Sequence, residues 1–186
     1  GVISKGIVWS DIANFDVDDN LGITEDGSGI GEFYSLLADL QAGKTYYVKA
    51  YASNENGTAY GNVLSFTTLT TIPTLTTKEV TDITTNSAQS GGIIVEDGGS
   101  NITMRGIVWS NISNPDISNN AGITQDGNGV GNYNSLLSGL KPGQKYYIRA
   151  YATNQVGTAY GNEIEFMALA ELPIVSTKDV TEVSIY

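Results

Sequence analysis

The stretch Lys145–Phe166, KYYIRAYATNQVGTAYGNEIEF, decides the fold, and Thr45–Phe66, TYYVKAYASNENGTAYGNVLSF, repeats it. From Tyr146 the side chains alternate. Tyr146, Ile148, Ala150 and Ala152 share one face of an extended strand, and Tyr147, Arg149, Tyr151 and Thr153 share the other. Asn154 and Gly157 then mark a tight turn, and Ile164 with Phe166 return as the inward residues of a second strand. A Leu-x-x-Gly-x-x-Tyr corner precedes each copy, Leu40–Tyr46 and Leu140–Tyr146. Each copy therefore predicts a long antiparallel strand pair around which the other strands must close.

Working outward, the chain falls on itself. GIVWS at Gly6 recurs at Gly106, GIT-x-DG-x-G at Gly22 recurs at Gly122, and GTAYGN at Gly57 recurs at Gly157, with no insertion between them. A third copy opens at the far end, where LPIVSTKDVT from Leu172 matches IPTLTTKEVT from Ile72. This is a tandem array with a unit of about one hundred residues. Placing the boundaries at Pro73 and Pro173 divides it into 1–69, a unit without its first strands; 73–169, a complete unit; and 173–186, the first strand of another. A free chain with those ends would leave edges and core bare. The expectation is either a longer polypeptide or strands supplied by a neighbouring copy, with 174–183 as the donated strand.

Within the complete unit, strands are expected over 74–83, 87–95, 102–110, 122–125, 132–137 and from Tyr146 onward. Asp126-Gly127-Asn128-Gly129 reads as a hairpin turn between the fourth and fifth, and Asn114-Pro115-Asp116 as part of a polar loop. Val, Ile, Thr, Tyr and Gly dominate, and no segment carries a helical pattern. The fold class is all-β: tandem seven-stranded antiparallel sandwiches.

Composition narrows the chemistry. The chain has 186 residues, 9 Lys and Arg against 20 Asp and Glu, and a net charge of −11, so no basic stripe exists to bind nucleic acid. It contains no Cys and no His, which removes disulfides, thiol chemistry and the commonest general base and metal ligand. No apolar run approaches the roughly 20 residues of a membrane span. The Gly-rich loops at Asp26 and Asp126 lack the Lys and helix of a phosphate loop. Asn56, Asn101 and Asn111 stand in glycosylation-type triplets.

Two constellations remain. Asp16, Asp18, Asp19, Glu25 and Asp26 offer the hard oxygen ligands calcium takes, yet the second copy keeps only Asp116 and Asp126. Asx-turns in solvated loops are the competing reading. Tyr47, Tyr51, Tyr147 and Tyr151, with Tyr60 and Tyr160 near the turn, could form an outward aromatic strip able to stack on sugar rings. Alternatively, the tyrosines cover the strand glycines Gly6 and Gly106. Trp9 and Trp109 share parity with Ile7 and Ile107 and are expected in the core. No nucleophile–base set or fixed carboxylate pair is present, so no enzyme is expected.

Leu140 to Tyr146, and the spacing Tyr146-x-Ile148-x-Ala150-x-Ala152-x-Asn154-x-x-Gly157, resemble the fibronectin type III family. The wording RGIVWS, T-x-DG-x-G and YYIRAYATN-x-xGTAYGN is similar to tandem modules of secreted and surface proteins of Bacteroidota-type bacteria. The Trp on the third strand, rather than the second, departs from that family towards immunoglobulin-like domains. The resemblance implies a corner in which the hydroxyls of Tyr46 and Tyr146 bond back to the upstream backbone. It also implies an extracellular or cell-surface role as stalk, spacer or filament subunit, with neighbouring repeats or further copies as partners and no cofactor. A carbohydrate-binding or adhesive module, accessory to a polysaccharide-degrading enzyme, is the alternative. No Arg-Gly-Asp sequence is present to carry integrin-type recognition.

Overall fold

A computed structural model describes residues 1–179 and 181. Among the described residues every regular element is a strand. In chain order they are β1 (Ser4–Ser10), β2 (Gly22–Ile23), β3 (Thr45–Asn54), β4 (Gly57–Tyr60), β5 (Leu64–Thr67), β6 (Thr74–Thr77), β7 (Ser87–Glu96), β8 (Met104–Ser110), β9 (Gly122–Ile123), β10 (Gly131–Ser138), β11 (Lys145–Thr153), β12 (Thr158–Tyr160) and β13 (Ile164–Met167). All pairings are antiparallel.

The long strands β3 and β11 are the centres of two equivalent five-stranded sheets, β2-β1-β3-β4 with β5 and β9-β8-β11-β12 with β13. Their registers match residue for residue. Gly6 faces Tyr51 and Gly106 faces Tyr151, while Tyr46 faces Phe66 and Tyr146 faces Phe166. The return strand expected after the turn is broken in both copies. β12 and β13 pair with successive parts of β11, and the gap between them at Gly161–Glu163 is used by other elements.

A three-stranded sheet, β10-β7-β6, faces the second five-stranded sheet and closes a sandwich. Leu75, Ala88, Ile94, Tyr133 and Leu137 from one side meet Ile107, Trp109, Tyr146, Ile148, Ala150 and Phe166 from the other. The inward parity read from the sequence is thus the core of the unit, and burial of these side chains is its main stabilising term.

Two expectations need correcting. Asp126-Gly127-Asn128-Gly129 is no hairpin: β9 pairs with β8 and β10 pairs with β7, so this segment crosses between the sheets. Core closure outweighs the local turn signal, because β10 buries Tyr133 and Leu137 only on the opposite sheet. The strand expected over 74–83 stops at Thr77, with a bulge between Thr74 and Leu75, and resumes only as a bridge from Thr81 to Gln89.

No counterpart of β6 and β7 lies within residues 1–69. The segment 31–38, equivalent to β10, consequently forms no strand, and Phe66 is 37% exposed where Phe166 is 8% exposed. Of the expected strand 174–183, residues 174–179 and 181 form no strand, and the remainder lies outside the described residues.

Candidate functional site

Thr71, in the segment that connects the two units, is held by hydrogen bonds to the second unit. The turn at Asn154 is closed by its own side chain, whose Oδ1 accepts from the N–H groups of Val156 (2.9 Å) and Gly157 (3.1 Å). This fixes the carboxamide with its Nδ2 pointing at the inter-unit segment. There it donates to the carbonyls of Thr71 and Asp97, both at 2.7 Å. The Thr71 N–H in turn donates to the Gly98 carbonyl at 2.8 Å. Asn154 is buried, so its two bonds satisfy groups that would otherwise be costly.

The corner loop of the first unit completes the joint. A Cβ on Gly43 would stand 2.5 Å from the Gly99 carbonyl oxygen, so the two backbones are in direct contact. Asn54, the counterpart of Asn154, accepts only the Asn56 N–H, at 2.8 Å, and is exposed; its turn is closed differently, with Gly57 at φ 137°. Neither Asn54 nor Asn154 was singled out as a contact residue from sequence. The signal available was their recurrence at the same place in both copies.

Both corner tyrosines are buried, and each hydroxyl accepts a backbone N–H five residues upstream, Gln41 to Tyr46 and Lys141 to Tyr146, at 3.0 Å. Their rings stack on Phe66 and Phe166 at 6.0 and 5.8 Å. Trp9 and Trp109 are buried, with their indoles lying over Gly22 and Gly122.

The outward aromatic strip does not form as expected. Tyr51 and Tyr151 are buried, and only Tyr47 and Tyr147 of the four are part-exposed. The cause is the loop after β1 in the first unit and after β8 in the second, which folds over the outer face of the sheet. Phe15 packs with Val8 and Tyr51 in a small second core under the loop, and Val108, Pro115 and Tyr151 are fully buried at the equivalent positions. The Tyr151 hydroxyl donates to the Thr124 carbonyl at 2.7 Å, and its ring packs against Gly106. Tyr60 and Tyr160 pin the same loop, accepting the N–H groups of Val17 (3.2 Å) and Ile117 (3.0 Å). Lys49 and Arg149 lie over the rings of Tyr60 and Tyr160 at 4.2 and 4.7 Å. A two-ring platform of Tyr147 with Tyr151 is therefore absent. The signal for this was the run of apolar residues within each loop, Phe15 with Val17 and Pro115 with Ile117.

The aspartates suggested as calcium ligands are engaged locally. Asp16 Oδ1 accepts from the N–H groups of Asp18 (2.8 Å) and Asp19 (3.0 Å), an Asx-turn repeated at Asp116. Asp26 accepts from the hydroxyls of Ser35 and Thr24, and these bonds hold its carboxyl below the usual range. Among the described residues, no group of three or more acidic side chains converges as a metal site.

No protein-family model matches the sequence. No curated protein matches it either. Among solved structures it is similar to the FN1–FN3 domains of chicken CNTN1, with TM-score 0.40 and 15% identity over 89% of this chain. It spans 56% of the length of that structure. It is also similar to the sensor domain of the anti-sigma factor RsgI4 of Pseudobacteroides cellulosolvens, with TM-score 0.40 and 15% identity over 60% of this chain and 95% of that one.

Proposed function

We propose that this chain is a non-catalytic structural and interaction repeat of an extracellular or cell-surface array, acting as stalk, spacer or filament subunit with other repeats or copies as its partners. The observation that carries this is the joint. A passive linker would leave Thr71 solvated, whereas here Asn154 and the Asp97–Gly99 turn hold its backbone on both sides. Fixing the connection converts a string of sandwiches into a rod with a set angle between units.

Asn154→Ala tests it. The substitution removes both donations and leaves two carbonyls without their partner, a loss of about 1–3 kcal/mol. Small-angle scattering of the unmutated chain is expected to fit one inter-unit arrangement, and that of the variant a broadened distribution of longest dimensions. Equal flexibility in the two proteins would overturn the reading.

A further inference from the structure

A strand at the edge of a sheet offers free N–H and C=O groups for pairing unless something blunts it. In the complete unit, most edges are blunted. β6 is four residues long, follows Pro73 and carries a bulge between Thr74 and Leu75. It is also tied back to the opposing sheet, where the Thr77 N–H donates to Asn162 Oδ1 at 3.0 Å. β9 is two residues long, and β12 and β13 are three and four, separated by the break at Gly161–Glu163.

β10 is the exception. It runs eight residues at the edge of its sheet, Gly131–Ser138, in unbroken register with β7. Among the described residues, none of its N–H groups donates to a backbone carbonyl outside that ladder. It has no Pro and no charged side chain, and the uncharged run extends from Gly127 to Leu140 in a chain of net charge −11. Asn132, Asn134, Leu136 and Ser138 are exposed on its outer face, Leu136 by 61%. The charged groups that reach the strand are engaged within the unit. Lys78 donates to the Tyr133 carbonyl (3.1 Å) and Asn134 Oδ1 (3.0 Å), Asp126 accepts from Ser135, and Arg105 donates to the carbonyls of Gly129 and Val130.

We infer that β10 pairs antiparallel with β10 of a second copy about a two-fold axis perpendicular to the sheet, so that two three-stranded sheets become one of six strands. Charge is what selects this occupant. A two-fold contact sets each group near its own twin, so an acidic surface would repel itself, whereas β10 brings no like charges together. The axis also keeps outer face beside outer face. The two Leu136 side chains therefore lie on one continuous surface with Ile93 of each copy, which is 38% exposed. Because the same surface is used twice, the contact closes at a dimer. It joins units side by side and involves neither Thr71 nor Asn154, so it stands independently of the joint.

Two charge variants at one exposed position test it. Leu136→Lys and Leu136→Glu each place like charges on both sides of the axis without touching the core. In sedimentation velocity the unmutated chain is expected to show a monomer–dimer equilibrium that goes no further. Each variant alone should dimerise more weakly by about tenfold or more. Their equimolar mixture should recover the dimer, since opposite charges then meet. Hydrogen exchange of the unmutated chain locates the contact independently, with amides of 131–138 gaining protection as concentration rises. A chain monomeric at the highest concentration would overturn the inference. So would association indifferent to both charges, or protection gained elsewhere but not in β10. Scattering of Asn154→Ala is then read in the monomeric Leu136→Lys background, so the joint and the edge contact can fail separately.

Discussion

Tyr151 carries the most information of any single residue. Its parity puts it on the outer face of β11, yet it is fully buried because the loop around Pro115 closes over it. Burial comes first, and the negative charge of Asp126 second, in pushing its hydroxyl from 10.0 up to about 12. Burial also raises the Tyr133 hydroxyl. The neutral form is therefore favoured in the folded state, whereas the unfolded chain ionises near its ordinary value. Stability from this residue is complete below about pH 10 and is lost as pH climbs towards 12. Thermal melts should be insensitive to Tyr151 ionisation at neutral pH and fall steeply in that alkaline window. Tyr151→Phe should start lower, having lost its bond to Thr124, and fall less. A melting temperature that stays level through pH 12 would contradict the burial described.

At the scale of elements, 31–38 and 131–138 form a comparison within one molecule. GEFYSLLA and GNYNSLLS differ little in pattern, but only the second becomes a strand, because only it has β7 to pair with. Strand formation here depends on a partner ladder more than on intrinsic propensity. The Asp126 carboxylate, accepting from Thr124 beside β9 and Ser135 on β10, staples the crossing between the two sheets. Asp126→Ala is expected to cost about 1–3 kcal/mol in urea unfolding followed by tryptophan fluorescence. Asp26→Ala should cost much less, since the segment its partner Ser35 sits on pairs with no strand. Equal losses at the two sites would show that the staple does not depend on the opposing sheet.

For the molecule as a whole, the two equivalent five-stranded sheets differ in having one face covered or bare. Their hydrogen-bond ladders are the same, so differences in protection report packing alone. In hydrogen exchange of the monomeric chain, the amides of Ile7, Val48 and Ala52 should exchange faster than those of Ile107, Ile148 and Ala152. Matched rates would mean that the opposing sheet adds nothing to the stability of the ladder.

The sequence by itself determined the all-β class, the repeat, the inward face of β11, the corner tyrosines and the core position of Trp109. All of these follow from period-two alternation and short-range turn chemistry, which act between residues close along the chain. The tertiary structure decided which sheet β10 joins, why Tyr51 and Tyr151 are hidden, and that Asn154 holds Thr71. Each of those depends on surfaces brought together from distant parts of the chain, where burying Leu137 or Pro115 outweighs the local preference of a turn or loop. Polar segments advertise their turns but not what they lie upon, and for that reason the joint and the covered face were not legible until the sheets were in place.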